Sequence, residues 1–224
     1  MLGVGVRYLD FYQQFKQFEV IRLGDIKLIE PNFDHKRLVE WQQKGYLVQL
    51  RRGHYILADQ VKSLSEEGLF LIANKIYSPS YVSLETAFHY YNFIPEAPFT
   101  ITSISSRKTE QFATPIGNFS YRSVKSDLMQ GYKLINVETG QQSTNNGHSF
   151  EQSAKLAYPE KAILDYLYLN SKINDIDALA SLRLNREEIK SRCNFERFEQ
   201  LLSIYSNKAL RQRAEVFVGW TQQR

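Results

Sequence analysis

The sequence predicts an α+β fold, on three observations. Helical apolar spacing dominates both ends of the chain, β-branched alternation dominates the middle, and a helix–turn–helix order runs directly into a hairpin near residue 50. These place a small module over residues 1–60 and a larger mixed α/β module, ending in helices, over residues 61–224.

The elements follow in order. In residues 7–19 (RYLDFYQQFKQFE), Leu9, Tyr12, Phe15 and Phe18 fall on one helical stripe. VIRL at 20–23 suits a short strand. GDIKLIEP gives a short helix carrying Ile26 and Ile29, stopped by Pro31. In NFDHKRLVEWQQKG, Asp34 is a good N-cap, Leu38 and Trp41 share a face, and Gly45 suits the C-terminal stop.

GYLVQLRRGHYIL, residues 45–57, then alternates like a hairpin. Arg51 and Arg52 fit the two type I turn positions and Gly53 fits the left-handed one. That register sets Val48 and Gln49 opposite Ile56 and Tyr55. Helix, short strand, helix, turn, helix and hairpin is the order of a winged helix-turn-helix, whose second helix enters the major groove while the wing touches flanking DNA.

On this reading His35, Lys36, Arg37 and Lys44 lie on the DNA-facing helix, and Arg51, Arg52 and Gly53 form a wing suited to phosphate or minor-groove contact. A charged tip can equally serve to keep an edge hairpin soluble. Glu40 on the same helix either repels phosphate or accepts from cytosine N4.

Further along, SEEGLFLIANKIY (65–77) and SLETAFHYYN (83–92) read as helices. PFTITSISS reads as a strand. RKTEQFATPIGNFSYRSV contains a second hairpin turning at Pro115 to Asn118, and YKLINVE (132–138) is another strand. The polar segment 139–153 reads as a long loop. AILDYLYLN is an apolar helix, and the chain from about 174 to 218 is helical. Arg107, Lys108, Arg122 and Lys125 gather around the second hairpin as a possible additional basic surface or a solvated face.

The net charge of +4 and pI of about 9.0 permit a nucleic-acid partner without demanding one. Charge is spread evenly along the chain, so any electropositive face must come from three-dimensional arrangement. The single cysteine, Cys193, excludes an internal disulfide and a multi-thiolate zinc site. With no apolar run of spanning length and no signal-peptide core in MLGVGVRYLDFY, a cytoplasmic protein without a membrane partner is expected.

Catalytic constellations are sparse, and no enzyme is expected. There is no P-loop and no GxGxxG. His35, His54, His89 and His148 have no metal-ligand spacing. His89 reads as a half-buried, structurally bonded side chain. Arg192 beside Cys193 could lower the thiol's pKa, but a lone cysteine on an amphipathic helix reads as structural or incidental. Glu188–Ile189–Lys190, with Asp175 and Asp177 upstream, has the acid-x-Lys spacing of some nucleases but falls on a helix, where positions two apart diverge. Pro159, Glu160, Lys161 and Asp165 read as a helix start, with Glu160 pairing to a backbone donor.

The stretches GYLVQLRRGHYIL, ANKIYSPSYVSLETAFHYYNFIPEAPFTITS, FATPIGNFSYRSV and AYPEKAILDYLYL together resemble the AbiEi-type antitoxins, also described as transcriptional regulators of viral defence systems. The resemblance covers roughly residues 10–170. The segment 139–153 looks inserted, and the helices after 174 match only loosely. It implies the antitoxin of a type IV toxin–antitoxin, or abortive-infection, system. The N-terminal winged helix would bind double-stranded repeats in its own promoter; winged-helix repressors often act as dimers, and two-fold repeats would favour a homodimer. The C-terminal domain would counteract a nucleotidyltransferase-like toxin, and no metal or cofactor is implied. Alternatives are a toxin-neutralising module with a vestigial winged helix and a stand-alone regulator.

Overall fold

The computed structural model describes residues 6–137 and 152–223. It is a mixed α+β chain with two sheets, one of three strands and one of six. The polar segment 139–153 lies outside the described residues up to 151, as does His148. Its last two residues, Gln152 and Ser153, open a strand.

The first helix, α1 (Tyr8–Phe15), buries Phe11 and Phe15, one turn apart. This corrects the expected stripe, since Leu9 is 62% exposed and Phe18 37%. An aromatic-rich helix offers two competing stripes, and packing against Phe33 and Trp41 selects the one through Phe11. Strand β1 (Ile21–Arg22) leads into α2 (Leu23–Ile29), whose start is fixed by Asp25 accepting from the Arg22 backbone and guanidinium.

Helix α3 (Lys36–Gln43) buries Leu38 and Trp41 as expected. Asp34 accepts from Lys36 N at 3.0 Å. The helix ends where Gly45 turns left-handed (φ +72°) and Tyr46 N reaches back to Trp41 O.

Strands β2 (Leu47–Arg51) and β3 (His54–Leu57) form the hairpin, and β1 adds to β3, giving the antiparallel order β1-β3-β2. Val48 pairs with Ile56 and Gln49 with Tyr55, as the alternation predicts. The tip differs from expectation. Arg51 belongs to β2 and pairs with His54, the register shifts between Gln49 and Arg51, and the turn is Arg52–Gly53 with Gly53 at φ +77°. Leu50 is therefore a bulge residue.

The larger sheet has the order β6-β7-β5-β4-β9-β8, from β4 (Ser80–Val82), β5 (Thr100–Ser105), β6 (Glu110–Thr114), β7 (Gly117–Ser123), β8 (Tyr132–Val137) and β9 (Gln152–Ala157). β4–β9 and β5–β7 are parallel and the other pairs antiparallel. Helix α4 (Glu66–Ile76) covers one face, where Tyr121 on β7 donates to Ala73 O. Helices α5 (Leu84–Tyr90) and α6 (Pro159–Leu169) cover the other, where Tyr81 on β4 donates to Asp165. Four helices follow: α7 (Ile176–Ser181), α8 (Arg186–Arg192), α9 (Phe195–Leu202) and α10 (Lys208–Gln222). No helix among the described residues is long and apolar enough to cross a membrane.

Two hydrophobic cores result. The smaller holds Phe11, Phe15, Ile21, Ile26, Phe33, Leu38 and Trp41 together with Leu47, Tyr55 and Leu57 of the hairpin. The larger holds the six-stranded sheet and its helices, and also takes in Val20, Leu50 and Ile56. The hairpin thus has one face in each core.

Candidate nucleic-acid interface

On α3, His35, Lys36 and Lys44 are exposed and Arg37 is half-exposed. Their helix buries its apolar face through Leu38 and Trp41, which turns the basic face outward. Glu40 sits between two cations, accepting from Lys44 Nζ at 2.7 Å and Arg37 Nη1 at 3.2 Å. These contacts, Lys44 first, hold the Glu40 carboxyl below its usual range. Exposed i,i+3 and i,i+4 pairs of this kind are weak and screened by salt, so both cations remain available to a stronger anion.

At the hairpin tip Arg52 is exposed and has no ion-pair partner among the described residues. Gly53 O accepts from Leu23 N at 2.9 Å, tying the tip to the start of α2. An added Cβ at Gly53 would meet only Leu23 Cβ at 3.8 Å, so its left-handed φ, not space, calls for glycine. His54 is half-buried, with Nδ1 3.2 Å from Arg52 O. Burial, with Arg51 and Arg22 adding, pulls the imidazole below its usual pKa.

Arg51 is not beside Arg52 in this surface. Its Nη1 donates to Ile76 O at 2.7 Å, and its guanidinium lies 4.7 Å from the centroid of the Phe112 ring on β6. The pair expected to act as a unit is split, one arginine outward and one inward.

The four residues of the additional basic surface do not act as one group either. Arg107 stacks on Tyr77 at 4.5 Å and reaches Ser78 O. Lys108 approaches Glu110 at 3.9 Å. Lys125 is exposed beyond β7. Arg122, on β7, lines an open cleft of about 380 Å³ with Glu85, Gln111, Ser120 and Asn170, at whose rim Phe99 is 99% exposed.

The acid-x-Lys pair is committed to its own helix: Glu188 pairs with Arg192, and Lys190 with Glu187. Asp175 caps α7 by accepting from Ala178 N. No group of three or more metal-ligating side chains occurs among the described residues. His89 is half-buried as expected, but its Nδ1 has no hydrogen-bond partner among the described residues. Cys193 is buried, which fits the structural reading and not a lowered thiol. Burial, with the Glu160 carboxylate adding, pushes the thiol up to about 12.

Sequence reasoning missed the most polar part of the interior. Pro159 starts α6, and Glu160 accepts from Asn194 N, a backbone donor as expected, but one from the start of α9. Lys161 and Asp165, 1% and 0% exposed, form an ion pair one turn apart. Asp165 also accepts from Tyr81 and Ser83 at 2.9 Å, and Lys161 donates to Tyr205 at 2.8 Å. The available signal was a Lys and an Asp four apart at the head of the otherwise apolar KAILDYLYL helix. Here the cluster ties β4, α6 and the end of α9 together. No family model matches this chain, and no curated protein matches it.

Proposed function

We propose that this protein is a DNA-binding transcriptional repressor whose N-terminal elements are a winged helix-turn-helix. One observation carries the reading. The order α1-β1-α2-α3-β2-β3, with β1 paired to β3 in a β1-β3-β2 sheet and a basic, outward-facing α3 ahead of an exposed Arg52 tip, supports it, since a recognition helix followed by a wing runs in that order. Lys36, Arg37, Lys44 and Arg52 supply phosphate contacts, and His35 stands just before the first turn of the helix, near where base edges are read.

On the resemblance to AbiEi-type antitoxins, the DNA is the chain's own promoter, bound as a homodimer on paired repeats. The six-stranded module then neutralises a nucleotidyltransferase-like toxin encoded alongside, in the cytoplasm, without metal or cofactor.

The test is a titration of the full chain against a labelled duplex of the DNA upstream of its own coding sequence, at several salt concentrations. Each phosphate contact contributes about 0.9 to the slope of log K against log salt. Lys36→Ala and Arg52→Ala are each expected to weaken binding and flatten the slope by about that amount. Binding that is absent, or indifferent to salt, refutes the reading. Co-expressing the full chain with the neighbouring toxin gene tests the second half: rescue of growth supports it, and unrelieved toxicity removes it.

A further inference from the structure

The split of the two arginines has a structural cause. In a regular strand Arg51 would project to the same side as Leu47 and Gln49, toward the smaller core or solvent. The register of β2 against β3 goes from Gln49↔Tyr55 directly to Arg51↔His54, so Leu50 and Arg51 together oppose one residue. Such a bulge re-aims the side chain that follows it. Leu50 enters the larger core, and Arg51 goes with it to the same side.

What Arg51 meets there is a receptor for a guanidinium. Ile76 is the last residue of α4, so its carbonyl is one of the helix's unpaired C-terminal acceptors and carries the negative end of the helix dipole. Arg51 caps it at 2.7 Å. The guanidinium carbon lies over the ring of Phe112, which forms an aromatic trio with Tyr77 and Tyr121 at centroid distances of 5.6, 4.8 and 5.8 Å. Tyr121 in turn donates to Ala73 O on the same helix. A hydrogen bond, a helix end and a ring face converge on a cation delivered by a bulge.

We propose that Arg51 is a positioning residue for DNA binding: it straps the hairpin tip to α4 and β6, so that Arg52 is presented to DNA only while the larger module holds that strap. This rests on the DNA-binding reading above. It makes the tip answerable to anything that moves the end of α4 or strand β6, including a partner bound to the larger module.

The experiment compares the full chain with Arg51→Ala, Arg51→Lys, Phe112→Leu and Arg52→Ala. It reads affinity and salt slope on the upstream duplex, and hydrogen exchange of the Val48–Leu57 amides without DNA. A lost hydrogen bond plus a lost cation–π contact correspond to about a tenfold loss of affinity if the tip must be held to bind. Arg51→Ala and the uncharged Phe112→Leu are both expected to weaken binding, with the wild-type salt slope kept and hairpin exchange accelerated. Arg51→Lys keeps the charge but not the planar stack, and is expected to fail like Arg51→Ala. Arg52→Ala is expected to flatten the slope with hairpin exchange unchanged.

The proposal is overturned if Arg51→Ala flattens the slope like Arg52→Ala while Arg51→Lys binds normally, which marks a phosphate contact. It is overturned equally if Phe112→Leu binds and exchanges like wild type. A wild-type chain with no salt-sensitive binding removes the DNA reading. Exchange in Arg51→Ala and Phe112→Leu then still decides the strap, which falls if the hairpin amides exchange as in wild type.

Discussion

Replacing Asp165 with alanine should be among the most damaging single changes in this chain. The carboxylate is fully buried and answers four donors: the Lys161 ammonium, the Tyr81 and Ser83 hydroxyls at 2.9 Å, and the Tyr205 hydroxyl at 3.2 Å. Alanine removes the counter-charge and strands Lys161 in the interior. What remains to the ammonium is one hydroxyl, Tyr205 at 2.8 Å, and the faces of Tyr81 and Tyr205 at 5.4 Å. The lysine cannot readily swing out, because its stem packs on the backbone at Gly131, where even an added Cβ would come within 3.1 Å of Lys161 Cγ and Cδ.

Breaking a buried pair by removing one partner costs about 3–5 kcal/mol. For a chain of this size each kcal/mol moves Tm by about 2–4 °C, so a fall of roughly 6–20 °C is expected. Urea unfolding at neutral pH, followed by circular dichroism, should show the midpoint fall at constant slope. Removing both charges, with Lys161→Met and Asp165→Leu together, should recover part of the loss. It should not recover all of it, because three hydroxyls then lack their acceptor at about 1–3 kcal/mol for each left unsatisfied. An Asp165→Ala chain melting within about 2 °C of wild type would show that the pair does not anchor the C-terminal helices to the sheet.

Two further outcomes follow from buried titratable groups. Cys193, its thiol pushed up to about 12, should resist alkylation at pH 8 in the native chain and react only on unfolding, where the value returns to about 8.5; native-state labelling at the rate of a free thiol refutes this. Glu19 is 7% exposed, its Oε2 has no hydrogen-bond partner among the described residues, and burial raises its pKa against partial offsets from its own backbone N–H, Gln152 and Lys75. A carboxyl raised in the folded state burdens stability once ionised, so the penalty is absent below the unfolded value of about 4.3 and grows as pH rises through the folded pKa. Glu19→Gln should therefore raise Tm at pH 7, with the gain vanishing near pH 4; a gain that persists unchanged in acid would mean ionisation is not its source.

The parts of this fold legible in the sequence are those whose causes lie within a few residues. Leu38 with Trp41, the stop at Gly45, and the pairing of Val48 and Gln49 with Ile56 and Tyr55 all follow from local spacing. The illegible parts depend on partners far along the chain. Strand β4 has three residues, and β9 mixes Lys, Ser and Ala with one Leu; β4 becomes a strand by pairing with β5, β9 by pairing with β8, and the two meet at Val82 and Leu156 across more than seventy positions. Lys161 reads as part of an ordinary helix start until Asp165, Tyr81 and Tyr205 converge on it.

Arg51 is the sharpest case, because residue type predicted a surface cation and a single inserted residue reversed its direction. A hairpin with apolar residues at nearly every position looks like ordinary alternation with noise. Here it is alternation between two cores, Leu47, Tyr55 and Leu57 on one side and Leu50 and Ile56 on the other. A slip of one residue would exchange those sets, so both cores hold the register against slippage. The same sharing means that a cut near residue 60 does not separate two self-sufficient bodies. A fragment beginning at 61 would leave the larger core without Val20, Leu50 and Ile56, and the end of α4 without Arg51. The proposed toxin neutralisation is therefore properly tested on the full chain, where the loss of a strap and the loss of a function can be told apart.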